Sequence, residues 1–522
     1  MNAERLLAHY EKIADAPDAI ARLRRFVLDL AVRGKLVPQD AKDEPSSELL
    51  KRIAKERLDQ GGLPQGWRRA KIGSILDFQY GKGLKASERL DEGPVPVFGS
   101  NGIVGFTDEP LTDRPAIIVG RKGSAGALNI CDGPLWTTDV AYFVEAPSFL
   151  DLRFMLNALT AVDLGKLGKG VKPGLSRSEA YDQIIHLPPL AEQHRIAAKV
   201  DELMGLCDRL EAARAGREGA RDRLAAASLA RLNAPDPETF QADARLALDA
   251  LPALTTRPDQ IKALRHTVLN LAVRGKLVPQ DPKDEAPRLP PLRQFAAASG
   301  MDDEVFEQFR GSMALPSGWQ IAPLAQLSEN IVDCPHTTPK WTENGEICIR
   351  TNQLRPRALD LSEPRYVSTE AYLERIERLE PKADDILYSR EGGILGIACR
   401  VPPGIRLCLG QRLMLIRAST ATRADFLETV LNSPFITDIA KVRTTGGAAP
   451  RVNMSTVRAY PIPVPPLAEQ HRIVAKVDAL MALCDRLEAI LTATAATRRR
   501  LLDALLAEAL APAEEQNMEA AE

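Results

Sequence analysis

Aromatic residues make up only 5% of the 522-residue chain, and no apolar run is long enough to span a bilayer. The opening stretch MNAERLLAHYEKIADAPD has no signal-peptide core, so a cytoplasmic protein with no membrane partner is expected. The seven cysteines never form a Cys-x-x-Cys pair, which argues against a disulfide framework and a zinc site. Neither sign of charge prevails: 68 Lys and Arg face 70 Asp and Glu, for a net charge of −2. Such a balance excludes a protein that coats nucleic acid indiscriminately, but leaves room for local basic loops that read it.

Catalytic signatures are missing as well. There is no GxxxxGK[ST], no HExxH and no GxSxG. FGSNG at 98–102 imitates a cofactor loop weakly and reads better as a turn between strands. NSPF at 432–435 approaches the Asn-Pro-Pro-aromatic signature of amino-methyltransferases, but Ser433 replaces a proline. Cys334-Pro-His336 is too sparse to hold a metal. The chain reads as a binder rather than an enzyme, with no catalytic or metal-binding residue and no cofactor of its own.

What the sequence does have is repetition. PPLAEQHRI stands at 188–196 and again at 465–473, 277 positions later, and both copies run on into near-identical helical sequence. LAVRGKLVPQD at 30–40 returns at 271–281, and LPQGW at 63–67 returns as LPSGW at 315–319. The order of landmarks is the same in both halves, so the chain is an internal duplication with a pseudo-twofold. At 522 residues, with 45% hydrophobic and 26% charged residues, several soluble domains are expected.

The short helices before GKLVPQD take Asp18 and Asp259 as N-caps and Gly34 and Gly275 as C-terminal caps. After each Pro-Pro, apolar residues alternate spacings of four and three: Ile196, Val200, Leu203, Cys207 and Leu210 in one copy, Ile473, Val477, Leu480, Cys484 and Leu487 in the other. That spacing is a coiled-coil seam, on helices reaching about Asn233 and Leu510 and roughly 60–65 Å long. Two matching seams in one chain are satisfied most economically by packing on each other, antiparallel; packing on their own domains or in intermolecular dimers is the alternative. The variable stretches hold short apolar runs such as AIIVG and LMLIR broken by Gly and Pro, so mixed α/β domains rich in strands are expected. The overall class is α+β: two similar mixed α/β domains, 63–188 and 313–465, joined by two long helices, one at 189–233 and one, with a tail, at 466–522. Conserved helical regions occupy 1–62 and part of 234–312, and 234–258 reads as a linker.

GRKGSAG at 120–126 aligns with SREGGILG at 389–396, and GVKPGLSRS at 170–178 with GAAPRVNMS at 447–455. One scaffold thus carries two sets of side chains, as two readers of different targets would. The candidate DNA contacts lie in these glycine-rich loops, where flexible backbone meets cations and amides suited to phosphates and base edges. They are Lys166, Lys169, Lys172 and Arg177 in the first copy and Lys441, Arg443, Arg451 and Asn453 in the second. Arg121, Lys122, Arg390, Gln411 and Arg412 are further candidates.

The twice-used PPLAEQHRIxAKVDxLMxLCDRLEA and LAVRGKLVPQD, with VDCPHTTPK (332–340), LYSREGGILG (387–396), LGQRLMLIR (409–417) and TTGGAAPRVN (444–453), resemble the specificity subunits of type I restriction–modification systems over nearly the whole chain. The resemblance implies two target recognition domains, each reading half of a bipartite asymmetric site in double-stranded DNA, held apart by an antiparallel helical ruler. It also implies two methylation subunits using S-adenosylmethionine and two ATP- and Mg2+-dependent restriction subunits as partners. A methylation-only or other restriction complex with the same architecture, or a protein–protein scaffold that binds no DNA, would be the alternatives.

Overall fold

A computed structural model describes residues 15–50, 62–168, 174–234, 236, 238–292, 300–393, 395–446 and 450–510. The chain forms two compact units, one of residues up to Glu218 together with those from Thr494, the other of Gly219–Ala493. Both are built from the same parts.

In the first unit the short helix Ala19–Val32 ends where Gly34 takes a left-handed φ of 66°, and the Lys35 N–H closes the last turn on the Leu30 carbonyl at 2.9 Å. A Cβ on Gly34 would lie 2.6 Å from Pro64 and 3.0 Å from Trp67. In the second unit the helix Pro258–Val273 ends the same way at Gly275 (φ 64°), where a Cβ would meet Pro316 at 2.4 Å and Trp319 at 3.0 Å. GKLVPQD and LPxGW are therefore repeated together because the tryptophan seats on the helix-ending glycine. The N-caps differ from expectation. Asp18 precedes its helix in the left-handed region without a side-chain capping bond, and Pro258 opens the second helix, so Arg257 is the cap and Asp259 lies in the first turn.

Each domain holds corresponding sheets. In the first, β1 (Arg68–Lys71) pairs antiparallel with β9 (Ile184–Leu187). A four-stranded sheet runs β2 (Gln79–Tyr80), β8 (Ala141–Glu145), β5 (Ala116–Gly120), β6 (Leu128–Cys131). A three-stranded sheet runs β4 (Gly102–Thr107), β3 (Val95–Gly99), β7 (Trp136–Thr137). FGSNG is the β3–β4 turn. In the second domain, β10 (Gln320–Pro323) pairs with β20 (Pro461–Val464). Its four-stranded sheet runs β11 (Ser328–Asp333), β19 (Leu413–Ala418), β16 (Ile386–Ser389), β17 (Ala398–Arg400). Its three-stranded sheet runs β15 (Tyr366–Val367), β12 (Glu346–Ile349), β18 (Leu407–Leu409), and β13 (Leu354–Arg355) forms a small hairpin with β14 (Ala358–Leu359).

The two long helices are Leu190–Asn233 and Leu467–Leu510, each of 44 residues. Their shared first turns explain PPLAEQHRI. Glu192 is buried and accepts from Trp67 Nε1 at 3.0 Å, as Glu469 does from Trp319 at 3.1 Å. Gln193 is buried too; it donates to the Pro188 carbonyl and accepts from the Asp151 N–H at 2.9 Å, while Gln470 donates to Pro465 and accepts from the Arg423 N–H at 2.8 Å. Arg195 pairs with Asp43 and Arg472 with Asp284, each at 2.6 Å. The motif is a clamp joining domain, short helix and long helix. Burial raises the carboxyl pKa of Glu192 and Glu469 against the opposing tryptophan hydrogen bonds.

Over its first turns the four-three spacing meets the helix's own half. Ile196 and Val200 lie in one core with Val27 and Ala31 of the short helix and Trp67, with Leu203 against it; Ile473 and Val477 do the same with Val268, Leu269 and Ala272, with Leu480 against it. Cys207 and Cys484 are buried, which pushes their thiol pKa up, and Leu210 and Leu487 are half-buried. Beside these cysteines, Arg24 bonds Asp208 and Glu211, and Arg265 bonds Asp485 and Glu488, one arrangement twice. The far end of the second long helix belongs to the first unit, where Leu502 and Leu505 pack on Ala16 and Ala19. The far end of the first belongs to the second unit, where Ala225, Leu229 and Leu232 pack on Ala247 and Leu254. The segment expected to be a linker is thus structured: helices Phe240–Asp249 and Leu251–Leu254 turn apolar residues onto that helix end. Among the described residues no helix is long and apolar enough to cross a membrane, and no cluster of three His, Cys, Asp or Glu could hold a metal.

Candidate nucleic-acid interface

The fold brings the candidate loops together. In the first domain the Arg121 carbonyl accepts from the Leu175 N–H at 2.8 Å, and Lys122 bridges to Gly174; in the second the Arg390 carbonyl accepts from the Val452 N–H at 2.9 Å, and Glu391 bridges to Arg451. The turn after the third strand of each four-stranded sheet is therefore zipped to the loop before the long helix. The register carries the match further. Val119 faces Tyr142, which faces Tyr80; Tyr388 faces Met414, which faces Asp333. Arg121 and Arg390 are equivalent, and so are Tyr80 and Asp333.

At this shared place the chemistry diverges. Tyr80 is 51% exposed, and the guanidiniums of Arg121 and Arg177 lie 5.0 and 5.1 Å from its ring centroid. Tyr142 meets the same ring edge-on at 5.1 Å. Arg121 donates to the Asp139 carbonyl at 3.0 Å, and Arg177 approaches the Phe78 carbonyl at 3.4 Å. Tyr181 donates to Asp77 at 3.0 Å, and burial raises the phenol pKa of both Tyr142 and Tyr181. Nearby, Lys82 lies 5.7 Å from the Trp136 ring, whose Nε1 donates to the Lys82 carbonyl at 2.9 Å. Lys122 is exposed, and Lys166 pairs with Asp163 at 3.0 Å. Lys169 and Lys172 lie outside the described residues.

In the second domain Arg390 is buried, against the expectation that it meets DNA. Its Nε and Nη2 are 3.1 and 2.5 Å from the two oxygens of Asp333, its Nη1 donates to the Val452 carbonyl, and Glu391 lies 3.1 Å away. Burial works against the charge, but Asp333 and Glu391 outweigh it and raise the guanidinium pKa. His336 also approaches Asp333, at 3.2 Å, and its carbonyl accepts from Gln411 at 2.8 Å. Arg412 is exposed on a left-handed backbone (φ 71°) and its carbonyl accepts from the Arg390 N–H. Arg451 and Asn453 are exposed on the same loop. Lys441 pairs with Asp438 at 2.8 Å, while Arg443 bonds Gln308 and lies 5.8 Å from the Phe309 ring, held by another helix. The sequence reading missed Tyr80, Lys82, Trp136 and Asp333; the one signal was an aromatic in Gln79-Tyr80-Gly81, where a Cβ on Gly81 would strike the Thr138 carbonyl at 2.1 Å.

Each unit also carries a groove at a matching place. In the first, about 520 Å³ is lined by Asp29, Arg33, Val162, His186 and Leu510. In the second, about 780 Å³ is lined by Asn233, Asn270, Arg274, Phe435 and Val442. Asp29 and Asn270, Arg33 and Arg274, and Leu510 and Asn233 are equivalent positions of the duplication. Burial lowers the His186 imidazole pKa, as it does for His266 beside the second groove.

The chain is similar to known proteins over most of its length. It is 26% identical to the type I restriction enzyme EcoEI specificity subunit of Escherichia coli, covering 94% of each chain. It is 25% identical to the EcoAI specificity subunit of the same organism, covering 93% of each. A chain from a solved structure of a type I R-M system aligns with a TM-score of 0.51 at 17% identity, over 86% of this chain and 98% of that one, a likeness of fold. The family model for the type I restriction modification DNA specificity domain matches residues 64–215 and 316–494, one match on each copy of the duplicated scaffold. With more than half of its residues inside those two matches, the chain belongs to the type I restriction–modification DNA specificity family.

Proposed function

We propose that this chain is the DNA-recognition subunit of a type I restriction–modification complex, in which each domain reads one half of a bipartite asymmetric target. The observation that carries the reading is one scaffold used twice with different side chains at the same register: Tyr80, Arg121 and Lys122 in one copy, Asp333, Arg390 and Glu391 in the other. Equal frames suit two copies of one partner, and unequal surfaces suit two different half-sites. The matched grooves at the ends of the short helices support two methylation subunits as that repeated partner. Methylation with S-adenosylmethionine, and ATP- and Mg2+-dependent restriction by two further subunits, belong to the partners in this reading. The long helices, paired along the remaining seam positions, set the spacer, since 44 residues extend about 66 Å against about 34–36 Å per helical turn of DNA.

Long-read methylation mapping of cells co-expressing the chain with its methylation partner tests the function. A new motif in two defined parts with a fixed undefined gap is the expected result. A stable complex that leaves no motif, with DNA binding insensitive to salt, would favour a protein scaffold instead. Shortening both long helices in step should shorten the gap and leave each half-site intact; an unchanged gap would sink the ruler.

A further inference from the structure

We propose that Tyr80 is a specificity-determining residue of the first domain, acting as a platform that presents Arg121 and Arg177, and that Asp333 makes the second domain read without its equivalent arginine. This rests on the DNA-recognition reading above and names how the two half-sites come to be read differently.

Three independent observations converge. Half of Tyr80 is exposed on a strand of only two residues, in a protein with little aromatic content to spare for its surface. Two guanidiniums from distant segments sit within 5.1 Å of its ring, and neither has a carboxylate partner among the described ion pairs. Two like charges gathered over one ring repel each other, so the cluster is most stable beside an acceptor-rich or anionic surface. Arg121 spends a donor on the Asp139 carbonyl, which restrains its plane, while Arg177 approaches the Phe78 carbonyl, and a restrained fork suits bidentate reading of guanine O6 and N7 in the major groove.

The second domain supplies the control within the same molecule. At the register of Tyr80 stands Asp333, and Arg390, the equivalent of Arg121, is folded down onto it with three nitrogens engaged inside the protein. A carboxylate at this position turns a presented arginine into a buried ion pair. Reading there then falls to Arg412, just before β19, whose carbonyl accepts from the Arg390 N–H, and to Arg451, on the loop bridged to Glu391; both are exposed.

The test is selection from randomised duplexes by the full chain with its methylation partner, comparing wild type with Tyr80→Ala, Tyr80→Asp and Tyr80→Phe. Wild type is expected to enrich a two-part motif; no motif at all would overturn the DNA-recognition reading and this inference with it. Given a motif, Tyr80→Ala should cut the preference at one or two positions of a single half-site by about tenfold, within the range of one bidentate contact. Tyr80→Asp should do the same by capturing Arg121, and Tyr80→Phe should recover most of what Tyr80→Ala loses. Unchanged base preference in both Tyr80→Ala and Tyr80→Asp, or an equal loss at both half-sites, would overturn the platform. Because Tyr80 is exposed, unfolding by these substitutions is not expected, and matched melting curves would exclude it as a cause.

Discussion

Tyr80 and Asp333 occupy one position in two copies of one scaffold, and the arginine beside each has opposite fates. Arg121 lies over an aromatic ring at the surface, whereas Arg390 is withdrawn into an ion pair and buried. Main-chain bonds around them recur in both copies, among them the N–H of Leu175 or Val452 donating to the arginine carbonyl. A duplicated fold can therefore keep its backbone network and change what it displays through one neighbour of one residue. An arginine inside a repeated motif is not by that fact a surface contact.

The contrast can be broken most forcefully from the buried side. Asp333→Ala leaves Arg390 buried without its main partner, and should cost about 3–5 kcal/mol in denaturant unfolding of the second domain. Tyr80→Ala at the equivalent exposed position should stay below about 1 kcal/mol. Equal losses would mean that the two positions are not the structural opposites described here.

The clamp residues sharpen the comparison from the other direction, because there the two halves are alike. Glu192→Ala and Glu469→Ala each strand a buried tryptophan N–H and should cost about 1–3 kcal/mol, by similar amounts in the two halves. The isosteric Gln variants keep an acceptor and remove the charge. Both carboxyls have folded-state pKa values raised mainly by burial, so their stabilising contribution is present at low pH and is lost as pH rises through the folded pKa. Glu192→Gln and Glu469→Gln should thus gain stability relative to wild type as pH rises through that window, and a gap that widened on acidification would contradict this. The smallest effect belongs to Arg24→Ala and Arg265→Ala, whose pairs with Asp208 and Glu211 or Asp485 and Glu488 are open to solvent. These should cost about 0.2–1 kcal/mol each and less in high salt.

The frame was largely legible in the sequence. Both long helices, the glycines that end the short ones, and the alignment of Arg121 with Arg390 follow from spacing and repetition alone, because those features depend on local periodicity and close approach. The site was legible only in part. Which arginine is free depends on the cross-strand partner of Met414 or Tyr142, a long-range register that no window of sequence contains. The segment 234–258 misled for a related reason: its Pro and Thr content resembles a linker, while Phe240, Ala244 and Ala247 form an apolar face that shows only once a helix end is there to receive it. The four-three spacing was likewise real, but its first turns meet the short helix and the domain, a surface as periodic as another helix would be.

The first and last strands of each domain lie side by side, Arg68 opposite Leu187 and Gln320 opposite Val464. The chain between them leaves and returns at one two-stranded ladder, and Asp151 or Arg423 ties it to the long helix as well. Such a segment can lengthen or shorten between its tied points while the ladder and the clamp behind it stay as they are. In the reading proposed above, heredity can then rewrite one word of the target at a time, leaving the grammar of the complex untouched.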